Sequence, residues 1–178
     1  GSGGNAPPND AALNQRNVPG LYSAALPNRS IFSIMMIDVA AVGDIQSPRA
    51  TVAWSHPANN RTFLNMQRPR WVGNHLVFQM DPQNDEWDRY WSLDLRNPGA
   101  QPVMLTTTDG LIEDATSVSF SPDGSTMYYA TNASDIERRQ IWAVRVAGGR
   151  RVQLSKGDGV ETHPQPLGGG RNVAVLYF

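Results

Sequence analysis

An all-β fold, a partial β-propeller of about three to three and a half blades, is predicted by three features of the sequence. Past residue 29 the chain is a succession of short apolar runs rich in Val, Ile, Trp, Tyr, Phe and Thr, the residues strands favour. Turn signals separate the runs: Trp71-Val-Gly-Asn74, Pro122-Asp-Gly124, Gly148-Gly149, Asp158-Gly159 and Gly168-Gly-Gly170. The runs also recur at an offset of about 50 residues, within the range for a blade of four strands.

Taken in order, segment 1–29 is rich in Gly, Pro, Asn and Ala, shows no period, and reads as a linker or loop. Strands are expected at Ile31 to Val39, Ala50 to Trp54, Trp71 to Met80, Arg89 to Leu95 and Val103 to Thr106. Further strands are expected at Ser117 to Phe120, Thr126 to Thr131, Gln140 to Val146, Arg151 to Ser155 and Asn172 to Phe178. No dozen residues carry helical spacing with a cap and without Gly or Pro; Ala133 to Arg139 has room for a single turn.

The repeat is visible residue by residue. Leu76-Val-Phe78 corresponds to Met127-Tyr-Tyr129, and Tyr90-Trp-Ser-Leu-Asp-Leu95 to Ile141-Trp-Ala-Val-Arg-Val146. Asp109-Gly-Leu111 corresponds to Asp158-Gly-Val160; Ile34-Met-Met-Ile-Asp-Val39 is an earlier partial copy and Asn172-Val-Ala-Val175 opens a later one. Segment 30–178 therefore divides into WD40-like four-stranded blades: a partial blade at 30–67, blades at 68–114 and 115–161, and the start of another at 162–178. Within the best blade, alternate residues of Ser117 to Phe120 face a neighbour, and Ser121-Pro-Asp-Gly124 reverses the chain. Arg150 and Arg151 suit an outer strand, whose free edge tolerates charge.

Composition bounds the function. The 178 residues suffice for one ordinary domain with a core, and 40% are hydrophobic, a globular value. A formal net charge of −1 argues against electrostatic capture of nucleic acid. The apolar runs at Ile34 to Ile37 and Val173 to Phe178 are too short to span a bilayer. The chain has no cysteine, which excludes disulfides and thiolate zinc sites. N-x-S/T sequons stand at Asn28, Asn60 and Asn132, and their simplest reading is chance matches in turns.

The series Phe120-Ser-Pro-Asp-Gly124, Tyr128-Tyr129, Asp135-Ile-Glu-Arg-Arg139, Ile141-Trp142, Ala147-Gly-Gly149 and Gln153-Leu154 resembles a known blade. It is similar to the propeller of the prolyl oligopeptidase family of serine peptidases, in its dipeptidyl-peptidase-IV-like or acylaminoacyl-peptidase-like branch. Ser155 stands where that pattern has Thr, and in the preceding blade Trp71-Val-Gly-Asn74 and Asn97-Pro-Gly99 replace the two turn motifs. The periplasmic propeller of the Tol system shares this blade signature. The resemblance implies a separate α/β-hydrolase domain bearing a G-x-S-x-G elbow and a catalytic triad. Neither is written in this sequence, whose histidines are His56, His75 and His163, so no catalytic residue is assigned.

Asp135, Glu137, Arg138 and Arg139 are the candidate substrate-binding residues, since two arginines beside two acids suit a peptide carboxylate or a neighbouring domain. A local salt-bridge cluster is the competing account. Glu86 and Glu113 are single, so the paired glutamates of true dipeptidyl peptidases are not recognisable. The acidic loop Asp81 to Asp88 lacks the spacing of a calcium loop, and no metal or cofactor is expected. His163 reads as a packing or hydrogen-bonding residue. Trp91 and Trp142 occupy equivalent third-strand places and are expected in blade cores.

Two functions follow from the resemblance. One is a non-catalytic fragment of a serine peptidase that gates and positions peptide substrates for an absent hydrolase domain. The alternative is a non-enzymatic protein-binding or scaffold propeller of the Tol type. A lectin-like propeller is allowed by the tryptophans but specified by nothing. A periplasmic or secreted location is expected, with the cytoplasm left open. The partners expected are a peptide substrate and the parent's hydrolase domain, together with self-association through exposed blade edges, because a propeller needs four to eight blades to close.

Overall fold

The computed structural model describes residues 33–37, 50–55, 66–80, 85–97 and 99–178. The 1–29 segment, the sequons at Asn28 and Asn60, His56, the 81–84 part of the acidic loop and Pro98 lie outside them. Among the described residues, twelve strands form four antiparallel sheets. Strands β1 (Ser33–Ile37) and β2 (Ala50–Ser55) pair with each other. Strands β3 (Gln67–Val72), β4 (His75–Met80), β5 (Arg89–Asp94) and β6 (Val103–Met104) make the first four-stranded sheet. Strands β7 (Val118–Phe120), β8 (Thr126–Thr131), β9 (Gln140–Arg145) and β10 (Val152–Gln153) make the second. Strands β11 (Glu161–Leu167) and β12 (Asn172–Tyr177) make a final pair.

In each four-stranded sheet the spatial order follows the chain order, which is the plan of a propeller blade. Among the described residues the helical elements are two 3-10 turns, Ala115–Ser117 and Gly168–Gly170. The fold is all-β, a partial propeller that among the described residues has two complete blades flanked by two two-stranded units.

Burial follows the two-residue alternation of strands. Along β4, Leu76, Phe78 and Met80 face β1 and β2, where they pack with Ile34, Ala53, Trp54 and Leu93. Val77 points to the other side and joins Tyr90, Leu105, Met127, Tyr129 and Val144 between the two complete blades. Both faces of β4 are therefore largely buried, as in a sheet packed between neighbours, with Gln79 a buried polar residue on the Val77 side. Val118 and Phe120 of β7 join the same inter-blade layer, as the alternation of that strand implies. Trp91 is registered against Phe78 and Trp142 against Tyr129. Each indole packs into the layer shared with the preceding sheet, so the two tryptophans are equivalent core residues.

The turns obey local chemistry. Val72 and His75 close a hairpin over two residues, and Gly73 supplies the left-handed φ of 57° at its first position. In the second blade the Asp123 carboxylate accepts from the Ser121 hydroxyl (2.5 Å) and the Ser125 amide (3.0 Å). The Ser121 hydroxyl oxygen accepts from the Thr126 amide (2.9 Å). Gly124 takes φ 69° and lies against Val72 and Gly73, so equivalent turns of adjacent blades touch.

Two strands differ from the sequence expectation. No strand was expected over Gln67 to Arg70 or over Glu161 to Leu167, yet both segments are first strands of their sheets. Each contains a bulge followed by proline: Arg68 before Pro69 with φ 49°, and His163 before Pro164 with φ 54°. Proline removes a ladder donor and is confined to edges and bulges, which erases the usual strand signature. The apolar run Trp71 to Met80 is likewise split, its first residues ending β3 and the rest forming β4. Arg151 also departs from its expected role at a solvated edge. It is half-buried and donates to the carbonyls of Leu105 (2.6 Å) and Met104 (2.7 Å), clamping one blade's outer strand to the next. Arg150 is exposed.

Candidate binding face

The blade plan sends the loops between second and third strands, and the connections from each fourth strand to the next first strand, to one end of the molecule. Residues 85–88, 105–117, 132–139 and 154–160 therefore share a face.

The third strand of each blade begins with a long polar side chain that ties these loops together. In the first blade it is Arg89, whose side chain is 6% exposed. It donates to both oxygens of Asp85 (2.6 and 3.1 Å), to Asp109 (2.7 Å) and to the Thr108 carbonyl (2.7 Å). In the second blade Gln140 holds the same place, bonding Gly157 through its amide (3.2 Å) and its oxygen (3.1 Å). The Arg89 hydrogen bond holds the Asp85 carboxyl below the usual range, and Asp85 in turn raises the arginine.

One residue further on, a hydroxyl performs a second repeated task. The Tyr90 amide donates to Thr106 Oγ1 (2.9 Å) and the Ile141 amide to Ser155 Oγ (2.9 Å). Serine in place of threonine thus keeps the oxygen that the strand requires. Asp109-Gly110 and Asp158-Gly159 are also equivalent close approaches. A side chain at Gly110 would meet Ala133 Cα at 2.7 Å, and one at Gly159 would collide with the Tyr177 ring.

The stretch Asp135 to Arg139 lies in the loop after β8 as two successive turns, closed by Asp135 N–H to the Asn132 carbonyl (3.0 Å) and Arg138 N–H to the Asp135 carbonyl (3.1 Å). Asp135 accepts from the Glu137 amide (3.0 Å) and pairs with Arg138, and these contacts lower its pKa. Arg138 also lies 3.7 Å from Asp158. Arg139 reaches away from this pair to Glu113, with Nε at 3.1 Å and Nη2 at 2.5 Å. Its carbonyl accepts from the Glu161 amide (2.9 Å) as β11 begins. The Glu137 side chain is exposed. The sequence grouped the four residues as one cluster, whereas the fold divides them. Arg138 closes its own loop, and Arg139 braces the connection into β7 against the following sheet.

Nearer the first strands, Arg68 donates to the Glu113 carbonyl (3.0 Å). Asp114 accepts from the Thr116 hydroxyl (2.6 Å), so the 2.9 Å contact between Thr116 Oγ1 and His163 Nε2 makes the imidazole the donor. His163 Nδ1 lies 2.8 Å from the Thr162 hydroxyl. This histidine serves hydrogen bonding at an exposed bulge. The sequon residue Asn132 is itself engaged, its side-chain oxygen accepting from the Leu111 amide (2.7 Å).

Between the loops lie two adjoining recesses of about 450 and 260 Å³ that share Trp87 and Gly110. Leu111 and Ile112 line the first, and Ile136, 80% exposed, lines the second. Asp85, Glu86, Asp88, Asp109 and Asp135 contribute five carboxylates; behind them Arg89 pairs with Asp85 and Asp109, and Arg138 with Asp135. Sequence reasoning missed Arg89, Glu113 and this recess. Aligning the blades at the third strand, Arg89 on Gln140, was the available signal for the first.

No helix among the described residues is long and apolar enough to cross a membrane. Neither a protein-family model nor a curated protein matches the sequence. Among solved structures the chain is similar to a protein of Agrobacterium tumefaciens assigned as TolB, with 16% identity and a TM-score of 0.46. The alignment covers 83% of this chain and 50% of that one, so the chain spans about half the length of that structure.

Proposed function

We propose that the chain is part of a non-enzymatic, protein-binding propeller whose loop face takes up a basic segment of a partner polypeptide. The observation that carries this reading is the recess at Trp87, Leu111 and Ile136, whose five carboxylates outnumber the two guanidiniums, Arg89 and Arg138, that pair three of them. Exposed apolar side chains rimmed by polar and charged groups mark interaction surfaces. Trp87 suits an arginine or lysine by cation–π contact, and the carboxylates steer a cationic segment toward it. In this reading Asp135 contributes to the rim, while Arg138 and Arg139 hold the loops that present it. A periplasmic or secreted setting, as in the Tol system, goes with this role.

The gating of peptides for a serine peptidase is the second reading, and the blade signature supports it. It would use Asp135, Glu137, Arg138 and Arg139 as substrate contacts. A substrate carboxylate would then have to displace Asp135 from Arg138 or Glu113 from Arg139.

Titration of fluorescent peptides of equal length and opposite charge tests the proposal. The basic peptide binds more tightly and weakens with added salt; Trp87→Ala and Ile136→Ser each weaken it about tenfold, a typical loss for an anchor residue. Equal affinity for basic and acidic peptides overturns it. Preference for a free peptide carboxylate, lost in Arg138→Gln, favours the gating role instead.

A further inference from the structure

We infer that the two adjoining recesses of the loop face sort the side chains of the partner segment. The larger takes a cationic side chain and the smaller an apolar one, two residues apart on an extended chain. This rests on the reading of the face as a site for a basic segment, and it adds the pattern that such a segment carries.

The five carboxylates are not equally free. Both oxygens of Asp85 are held by Arg89 (2.6 and 3.1 Å), and Asp85 Oδ1 also accepts from the Trp87 amide (3.1 Å). Asp135 is held by Arg138 and by the Glu137 amide. Asp109 gives one oxygen to Arg89 (2.7 Å), and its side chain is 75% exposed. Asp88 has a neutral partner, the side-chain amide of Gln79 at 3.3 Å. Glu86 is exposed, and no hydrogen bond or ion pair engages its carboxylate among the described residues.

The charge left over is therefore uneven. Glu86 and Asp88 line the larger recess of about 450 Å³, and neither lines the smaller. Arg89, behind the larger recess, is already shared between Asp85 and Asp109, so an excess of negative charge remains there. A lysine or arginine side chain entering it gains charged partners and the face of Trp87. In the smaller recess of about 260 Å³, Arg138 already neutralises Asp135, and a second cation gains little. What that recess offers is Ala133, Trp87 and the exposed side chain of Ile136, which an apolar side chain would remove from water.

The spacing follows from the shared wall. The recesses meet at Trp87 and Gly110. Residues i and i+2 of an extended chain point to one side about 6.8 Å apart, while i+1 points away. Gly110, where no side chain fits, leaves the crossing clear for the partner's backbone.

Fluorescent peptides with identical neutral flanks test the sorting by anisotropy. Their centres read Lys-Ser-Leu, Leu-Ser-Lys, Lys-Ser-Lys, Lys-Leu-Ser and Leu-Ser-Leu. One of the two mixed orders binds about tenfold more tightly than Lys-Ser-Lys and Lys-Leu-Ser, the gain of one good anchor. Ile136→Ser removes that advantage. Glu86→Gln weakens every peptide that carries lysine, by a margin that shrinks with added salt. Both side chains are exposed, so neither variant opens the core. Lys-Ser-Lys binding as tightly as both mixed orders overturns the sorting and leaves the basic-segment reading standing. Lys-Leu-Ser matching the better mixed order overturns the spacing, and an advantage that survives in Ile136→Ser overturns the assignment of the smaller recess. Leu-Ser-Leu binding as tightly as the lysine peptides overturns the basic-segment reading itself.

Discussion

Single atoms decide much of this fold, and three of them yield predictions. Thr106 Oγ1 takes up the buried amide of Tyr90. Thr106→Val keeps the shape but leaves that amide unpaired, and should cost about 1–3 kcal/mol in urea unfolding. Tyr129 presents the opposite case. Its hydroxyl is buried with no hydrogen-bond partner among the described residues, and burial pushes its pKa up to about 12. Tyr129→Phe removes that hydroxyl and should be neutral or stabilising in the same measurement; a clear loss would reveal a partner for the oxygen. Arg89 holds two carboxylates and a carbonyl with its guanidinium buried, so Arg89→Met should lower the urea midpoint by removing those hydrogen bonds and leaving the Thr108 carbonyl without its donor. The chemistry of Asp135 to Arg139 was legible because those residues adjoin in sequence. Glu113 was not, because its partner Arg139 lies 26 residues on; Arg89 also reaches Asp109, 20 residues on, besides its near neighbour Asp85.

At the level of elements, legibility followed strand position within the blade. β8 is apolar, aromatic and β-branched, and its span, Thr126 to Thr131, was read from sequence. First strands β3 and β11 escaped because a proline bulge and polar side chains replace alternation there. The Ser121-Pro-Asp-Gly124 turn was legible, and it carries a pH dependence. Its Asp123 carboxyl is held at about 2, chiefly by the Ser121 hydroxyl. A carboxyl lowered in the folded state stabilises above the unfolded pKa, about 3.9, and loses that contribution as pH falls through the folded value. The urea midpoint of the native chain should therefore exceed that of Asp123→Asn most above about pH 5, with the gap closing toward pH 2. A gap independent of pH would place the stabilisation elsewhere.

For the whole molecule, stability comes from stacking: each sheet is too thin to hide two apolar faces without neighbours. Trp142 packs in the layer between the complete blades, so Trp142→Ala should cost about 3 kcal/mol or more in urea unfolding. A change under about 0.5 kcal/mol would place the indole at the surface. Amide hydrogen exchange on the intact chain tests the repeated blade most directly. The account predicts two protected strand pairs 51 residues apart, at 75–80 with 89–94 and at 126–131 with 140–145, and fast exchange in the intervening loops. Protection without that repeat, or concentrated in residues 107–117, would contradict it.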